Sequence, residues 1–174
     1  MASFIEKQKY RLVKSEKEYE IRHYPSAMMA TIYSSANSYR QISTPGFRAL
    51  AGFIFGRNES NTRIAMTAPV HMDINDKESA MRFVMPSEYD EQSLPRPTDS
   101  RVKLEKSQAE YVAVLKFPGY ANDGKIARYT NKLRKALEKN GITYSGNFRF
   151  LGYNPPFQFI GRKNEIIVSV NWPE

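Results

Sequence analysis

Apolar and polar residues alternate most cleanly in Arg63-Ile64-Ala65-Met66-Thr67-Ala68-Pro69-Val70. A period of two predicts a central strand with Ile64, Met66, Ala68 and Val70 buried on one face and Arg63, Ala65, Thr67 and Pro69 on the other. Pro69 has no N–H to give a ladder, which places this strand at an edge or end of a sheet. Upstream, the runs 19–24 and 27–33 read as strands parted by the turn Pro25-Ser26, with a short leading strand at 10–13. The polar stretch 34–43 reads as loop, with at most one helical turn at 39–42. Thr44 followed by Pro45 has the form of an N-cap with proline at the first helical position. Phe47, Leu50, Ala51 and Ile54 then recur at i, i+3, i+4 and i+7, predicting a short amphipathic helix closed by Gly56.

Beyond the central strand, Asn75-Asp76-Lys77-Glu78 is a turn and 81–85 a partner strand stopped by Pro86. Residues 87–100, with Pro95 and Pro97, read as a surface loop. Strands are predicted at 102–105 and 111–117, the latter ended by Pro118-Gly119. A long helix runs from Asn122 or Asp123 to Asn140, with Ile126, Tyr129, Leu133 and Leu137 on one stripe and Gly141 as its stop. Two more strands, 148–153 and 165–170, flank the aromatic, proline-bearing segment 154–163. The order strand-strand-helix-strand-strand thus occurs twice, without residue-level identity between the halves. Short connections disfavour parallel crossovers, so the pattern predicts an α+β fold of antiparallel sheet with two α-helices packed against it.

Composition narrows the function. With 174 residues, of which 41% are hydrophobic and 13% aromatic, one domain with a sizeable core is expected. No stretch is long and apolar enough for a membrane helix or a secretory leader, which favours the cytoplasm. Cysteine is absent, so disulfides, thiolate metal sites and iron–sulfur clusters are excluded. The net charge of +8 suits an acidic partner, whether nucleic acid, anionic lipid or a ligand bearing carboxylates. Lys125, Arg128, Lys132, Arg134, Lys135 and Lys139 make the second helix basic, but no interleaved aromatics or recognition motif accompany them. The sharp reading is a face for nucleic acid or an anionic membrane; nucleic acid is disfavoured, and a solvated helix exterior is the plainer reading. No phosphate loop, zinc-protease helix or nucleophile elbow is present, and His23 and His71 are the only histidines available to a catalytic triad.

The central run resembles the Lys/Arg-Ile-x-Met-Thr-x-Pro-Val signature of the SOUL haem-binding protein family. Further pieces follow in the family's order: Tyr19-Glu20-Ile21-Arg22-His23-Tyr24-Pro25, Phe83-Val84-Met85-Pro86, Gly152-Tyr153-Asn154-Pro155-Pro156 and Arg162-Lys163-Asn164-Glu165. The resemblance implies a distorted antiparallel β-barrel of about eight strands, two pseudo-symmetric halves and two flanking helices. It also implies a non-enzymatic binder of haem or a related tetrapyrrole, acting as carrier, buffer or sensor. The alternatives are a module for other hydrophobic or amphiphilic molecules, a tetrapyrrole-modifying enzyme, or a protein-interaction domain.

The family motif makes His23 the candidate axial ligand to haem iron. The plainer reading is a surface or core histidine at a strand end, and alternation puts it with Tyr19 and Ile21, opposite Glu20, Arg22 and Tyr24. His71 lies outside the signature. The resemblance further implies a groove between the first helix and the segment before the last strand, which would gather Phe47, Leu50, Ala51 and Ile54 with Tyr153, Pro155, Pro156, Phe157 and Phe159. A porphyrin is an apolar plate carrying carboxylates, so it needs apolar walls and cations at one rim. Arg48, Arg57, Arg63, Arg162 and Lys163 are the candidate rim; ordinary core and solvated surface are the plainer readings for these residues.

Overall fold

The computed structural model describes residues 5–154, 158 and 160–173. In chain order these form β1 (Glu6–Lys7), β2 (Arg11–Ser15), β3 (Glu20–Tyr24), β4 (Met28–Ser34), α1 (Tyr39–Ile54), β5 (Thr67–Ala68), β6 (Val70–Asp73), β7 (Ser79–Val84), β8 (Val102–Lys106), β9 (Glu110–Pro118), α2 (Asp123–Lys139), β10 (Tyr144–Gly152) and β11 (Lys163–Val170). The contacts divide the chain into two compact units, residues 1–8 with 26–108, and residues 9–25 with 109–174.

In the first unit the strands run β6-β7-β4-β8, with antiparallel neighbours throughout. The register sets Ala30 and Val70 opposite Phe83, and Ile32 and Met72 opposite Met81. These side chains share the face covered by α1, because residues opposite each other on antiparallel strands point the same way. Phe47 of α1 meets Phe83 at 5.3 Å between ring centroids. Gly46 is where helix and sheet come closest, since a Cβ there would lie 3.1 Å from Met81 Cε. β1 adds a short parallel ladder to β5.

In the second unit the order is β2-β3-β9-β11-β10, again antiparallel. Ile21, Ala113, Leu115, Phe117, Ile166 and Phe150 fall on one face by register. α2 covers that face: Tyr129 stacks on Phe117 at 4.4 Å and 13°, while Leu133 and Leu137 are buried. The opposite face holds a second apolar cluster of Tyr24, Val112, Val114, Leu151 and Ile167, with Tyr153 packed against it.

The α+β class, the antiparallel pairing and the two helices agree with the sequence reading; the division into halves does not. The strand at 19–24 was expected beside the first helix, yet β3 pairs with β9 in the second unit. The repeated motif therefore starts at β4. The sequence β4-α1-β6-β7 corresponds to β9-α2-β10-β11, and β8 and β3 hold equivalent places beside β4 and β9. Each unit thus follows strand-helix-strand-strand with a further strand beside the first, β8 in one and β3 in the other, and β2 extends the second beyond β3. Neither unit's sheet closes on itself, so a barrel is not realised within either one.

Two local readings also change. The alternating run 63–70 is not one strand: residues 61–66 are irregular, β5 and β6 are separated by Pro69, and the Ala68–Pro69 peptide is cis. Ile64 and Ala68 are buried as expected, but Met66 and Val70 are only half-buried, while Thr67 and Pro69 are buried. Thr67 is buried with its hydroxyl donating to Val84 O at 2.6 Å, which compensates its desolvation. Helix α1 begins at Tyr39, not Pro45. Ser38 is the N-cap and accepts from Gln41 N, while Gln41 Oε1 accepts from Asn37 N, so both ends of a Ser-x-x-Gln motif are used. Pro45 sits inside this helix. α2 matches its expected bounds, with Asn122 as N-cap and Gly141 at φ 68° just past the end.

Candidate functional site

The first unit offers an exposed aromatic strip. Leu50, Phe53 and Ile54 are buried, whereas Phe47 is 42% and Phe55 58% exposed. At 100° per residue, Phe47, Ala51 and Phe55 fall within an arc of about 80° on one side of α1. Large aromatics in water lose the benefit of burial, so two on one strip constitute a surface suited to an apolar partner. Cations border it. Arg48 is exposed on the helix, Arg63 lies over the Phe55 ring at 5.6 Å, and Arg57 reaches back along the helix over Gly52. Asn58 fixes the turn from which Arg57 and Arg63 project: its amide donates to Phe53 O and Thr62 O, and its carbonyl accepts from Thr62 N.

In the second unit, His23 is half-buried on the face that carries Ile21, with its ring 4.8 Å from that of Tyr111. The expected alternation holds, because Glu20, Arg22 and Tyr24 hydrogen-bond to one another on the other face. That face contains a charged cluster the sequence reading did not single out. Arg22 and Glu165 are both fully buried and form a two-bonded pair, Nη1–Oε1 3.0 Å and Nη2–Oε2 2.7 Å. Arg22 lies on β3 and Glu165 on β11, so the pair spans β9. Further hydrogen bonds tie the pair to its neighbours. Arg22 Nε donates to Glu20, Arg22 Nη1 to the Tyr24 hydroxyl, and the Tyr153 hydroxyl to Glu165. Tyr10 caps the guanidinium at 4.1 Å, and Lys116 pairs with Glu20 at 2.8 Å.

The electrostatics follow from this packing. Burial opposes the Arg22 charge, but the hydrogen bonds and charge of Glu165 outweigh it and raise its pKa further above the ordinary value. Burial, reinforced by the Glu165 charge, pushes the Tyr153 hydroxyl well above the usual phenol range. Burial also raises Tyr24, against the opposing influence of Arg22. For Glu20, burial acts upward, yet the hydrogen bonds from Lys116 and Arg22 prevail and lower its pKa.

Among the expected residues, Phe47, Arg48, Leu50, Ala51, Ile54, Arg57 and Arg63 belong to the first unit, and His23, Tyr153, Arg162 and Lys163 to the second. Leu50, at 0% exposure, and Ile54, at 1%, fill core and do not wall a surface, because the buried stripe of α1 runs through them. Arg162 and Lys163 are engaged locally: Arg162 lies 3.9 Å over the Tyr120 ring and donates to Gln158 O, while Lys163 sits over Tyr153 and 3.6 Å from Glu165. Pro155, Pro156, Phe157 and Phe159 lie outside the described residues. His71 is buried, with Nε2 2.7 Å from Gln8 Oε1.

A profile of the SOUL heme-binding protein family matches residues 5–169. Heme-binding protein 2 of Mus musculus is 32% identical over 165 residues, covering 89% of this chain and 80% of the relative. Heme-binding protein 1 of the same organism is 27% identical over 161 residues, covering 88% and 84%. Among solved structures, the EcmrR C-terminal domain superposes with a TM-score of 0.65 at 9% identity, covering 88% of this chain and 97% of that one. SAV2435 bound to tetraphenylphosphonium gives 0.54 at 10% identity, covering 88% and 94%. A structure described as a hydrolase from Listeria innocua gives 0.59 at 11%, covering 90% and 93%. At such identities these likenesses concern the fold alone. The family match spans nearly the whole sequence and takes in the motif stretches that contain both Arg22 and Glu165, and on that ground the chain belongs to the SOUL heme-binding protein family.

Proposed function

We propose that the chain, acting over residues 1–174 as one binding domain, holds haem or a related tetrapyrrole as a cytoplasmic, non-enzymatic carrier, buffer or sensor. Family membership and relatives named for heme binding support the ligand class. The observation that carries the reading is the strip of α1. Exposed Phe47 and Phe55 match the apolar plate of a porphyrin, and Arg48, Arg57 and Arg63 supply cations suited to its carboxylates. In the second unit, half-buried His23 is the candidate axial ligand, and Tyr153, Pro155, Pro156, Phe157, Phe159, Arg162 and Lys163 are further candidates for contact with the ligand. When bound, haem would supply iron with one or two axial positions for exogenous ligands. His71 is not proposed as a ligand: it is 6% exposed, hydrogen-bonded to Gln8 and outside the family motif. The engagement of His71 by Gln8 and the Tyr111 contact of His23 support a binder over a Ser/His/Asp catalyst.

A second reading, a module for other amphiphiles, draws on the fold shared with a protein bound to tetraphenylphosphonium. Arg22 already neutralises the buried Glu165, so this carboxylate offers no free negative charge to a lipophilic cation. The discriminating experiment is competition. Haemin bound to the protein should resist excess tetraphenylphosphonium and yield to a metal-free dicarboxylate porphyrin. Displacement by the cation alone would favour the second reading. The Phe47→Ser/Phe55→Ser double variant should weaken haemin binding more than it lowers the melting temperature, since Phe55 is 58% exposed while Phe47, at 42%, still packs on Phe83; unchanged affinity would remove the strip from the site.

A further inference from the structure

We propose that the outer face of α2 docks the protein on an anionic membrane surface. The claim does not depend on haem binding. α2 is held to its sheet by Tyr129, Leu133, Ala136 and Leu137, so only its other side is available. At 100° per residue, Lys125, Arg128, Lys132, Lys135 and Lys139 fall within an arc of about 80° on that side. At 1.5 Å per residue the row is about 21 Å long. Its members follow at i+3 and i+4 steps, a spacing at which like charges repel. The acids of the helix, Asp123 and Glu138, fall outside the arc, and Glu138 accepts a hydrogen bond from Tyr144. Lys132, Lys135 and Lys139 are exposed. Lys125 donates to Tyr120 O, and Arg128 lies over the Tyr129 ring, so the first two cations are held in place.

A straight, self-repelling row on a helix fixed along its inner side has a shape that selects its partner. The row offers no aromatic of its own for bases to stack on, since Tyr129 turns to the sheet and stacks on Phe117, so nothing on this face favours nucleic acid. An anionic bilayer surface accepts such a row lying flat and relieves its repulsion without requiring base contacts. The row carries no apolar residue that would insert, so docking is peripheral and electrostatic, and it weakens as salt shortens the screening length.

The test is co-sedimentation of the full chain with vesicles of phosphatidylcholine alone or mixed with phosphatidylserine at a 7:3 ratio. Binding is expected only to the mixed vesicles and should fall steeply as potassium chloride is raised. Each surface lysine contributes about a fivefold factor, so Lys132→Gln/Lys135→Gln/Lys139→Gln should lose about a hundredfold in partition coefficient. Far-ultraviolet circular dichroism and melting temperature should stay unchanged. The control Lys7→Gln/Lys103→Gln/Lys106→Gln, at exposed lysines of β1 and β8, should bind like the parent protein. Three results would overturn the proposal: no preference for phosphatidylserine vesicles, equal binding by the α2 triple variant, or duplex DNA removing the protein from vesicles at an equal concentration of charge.

Discussion

Arg22 is the residue whose removal should be felt most in the second unit, because it leaves the buried Glu165 with only Lys163, 3.6 Å away, to offset its charge. Arg22→Ala is expected to cost about 3–5 kcal/mol in urea unfolding, whereas Arg22→Met/Glu165→Leu, which removes both charges and keeps volume, should cost less than either single change. A double variant as damaged as Arg22→Ala would mean that the pair stabilises more than its packing does. Tyr153 carries a pH signature. Its folded-state pKa is raised, as is that of Tyr24, so their contribution is complete below the ordinary phenol pKa of about 10 and is lost as pH rises beyond it. Denaturant midpoints measured from pH 8 to 11 should therefore decline above pH 10. The decline should be shallower in Tyr153→Phe, and an identical profile in that variant would detach the tyrosine from the effect. At this scale the sequence was partly legible. Alternation assigned His23 and Arg22 to opposite faces, but the Arg22–Glu165 pair could not be read, because its partners are 143 positions apart and meet only across β9.

At the scale of elements, legibility depended on whether terminal signals were unambiguous. α2 lies between Asn122 and Gly141, each acting where its chemistry is strongest, and its bounds were read to within a residue. α1 contained two competing starts. Thr44-Pro45 has the form of an N-terminus, yet Ser38 and Gln41 supply the capping bonds that start the helix about 1.7 turns earlier. Ser38→Ala should accordingly cost about 0.5–2 kcal/mol, and Thr44→Ala much less, because Thr44 is exposed within the helix. Equal costs in thermal unfolding would restore Thr44 as the cap. The run 63–70 misled for a related reason. Period-two patterning reports which side chains are apolar, not whether a backbone is paired, and Pro69 separates the ladder into two short strands. Met66 is consequently half-buried, and Met66→Ala should cost less than the 2–5 kcal/mol typical of full core burial, a range expected for Leu50→Ala.

For the whole molecule, each unit uses the same device: a strand, a helix over one face, two returning strands and a further strand beside the first. The second unit takes β3, and β2 beyond it, from before most of the first unit in the chain. That interleaving hid the true repeat from a reading made in chain order, although helix count and α+β class were accessible; about eight strands were expected, and the described residues form eleven. Ligand class is a property of this scale too, combining the α1 strip, the basic charge of the chain and the motif histidine. The most direct check is a haemin titration of the wild-type protein and His23→Ala, followed by the Soret band. The expected result is a sharp shift in the wild type that saturates near one equivalent, with a displaced maximum and weaker binding in His23→Ala. Broad absorbance that never saturates in the wild-type protein would contradict haem binding as the function.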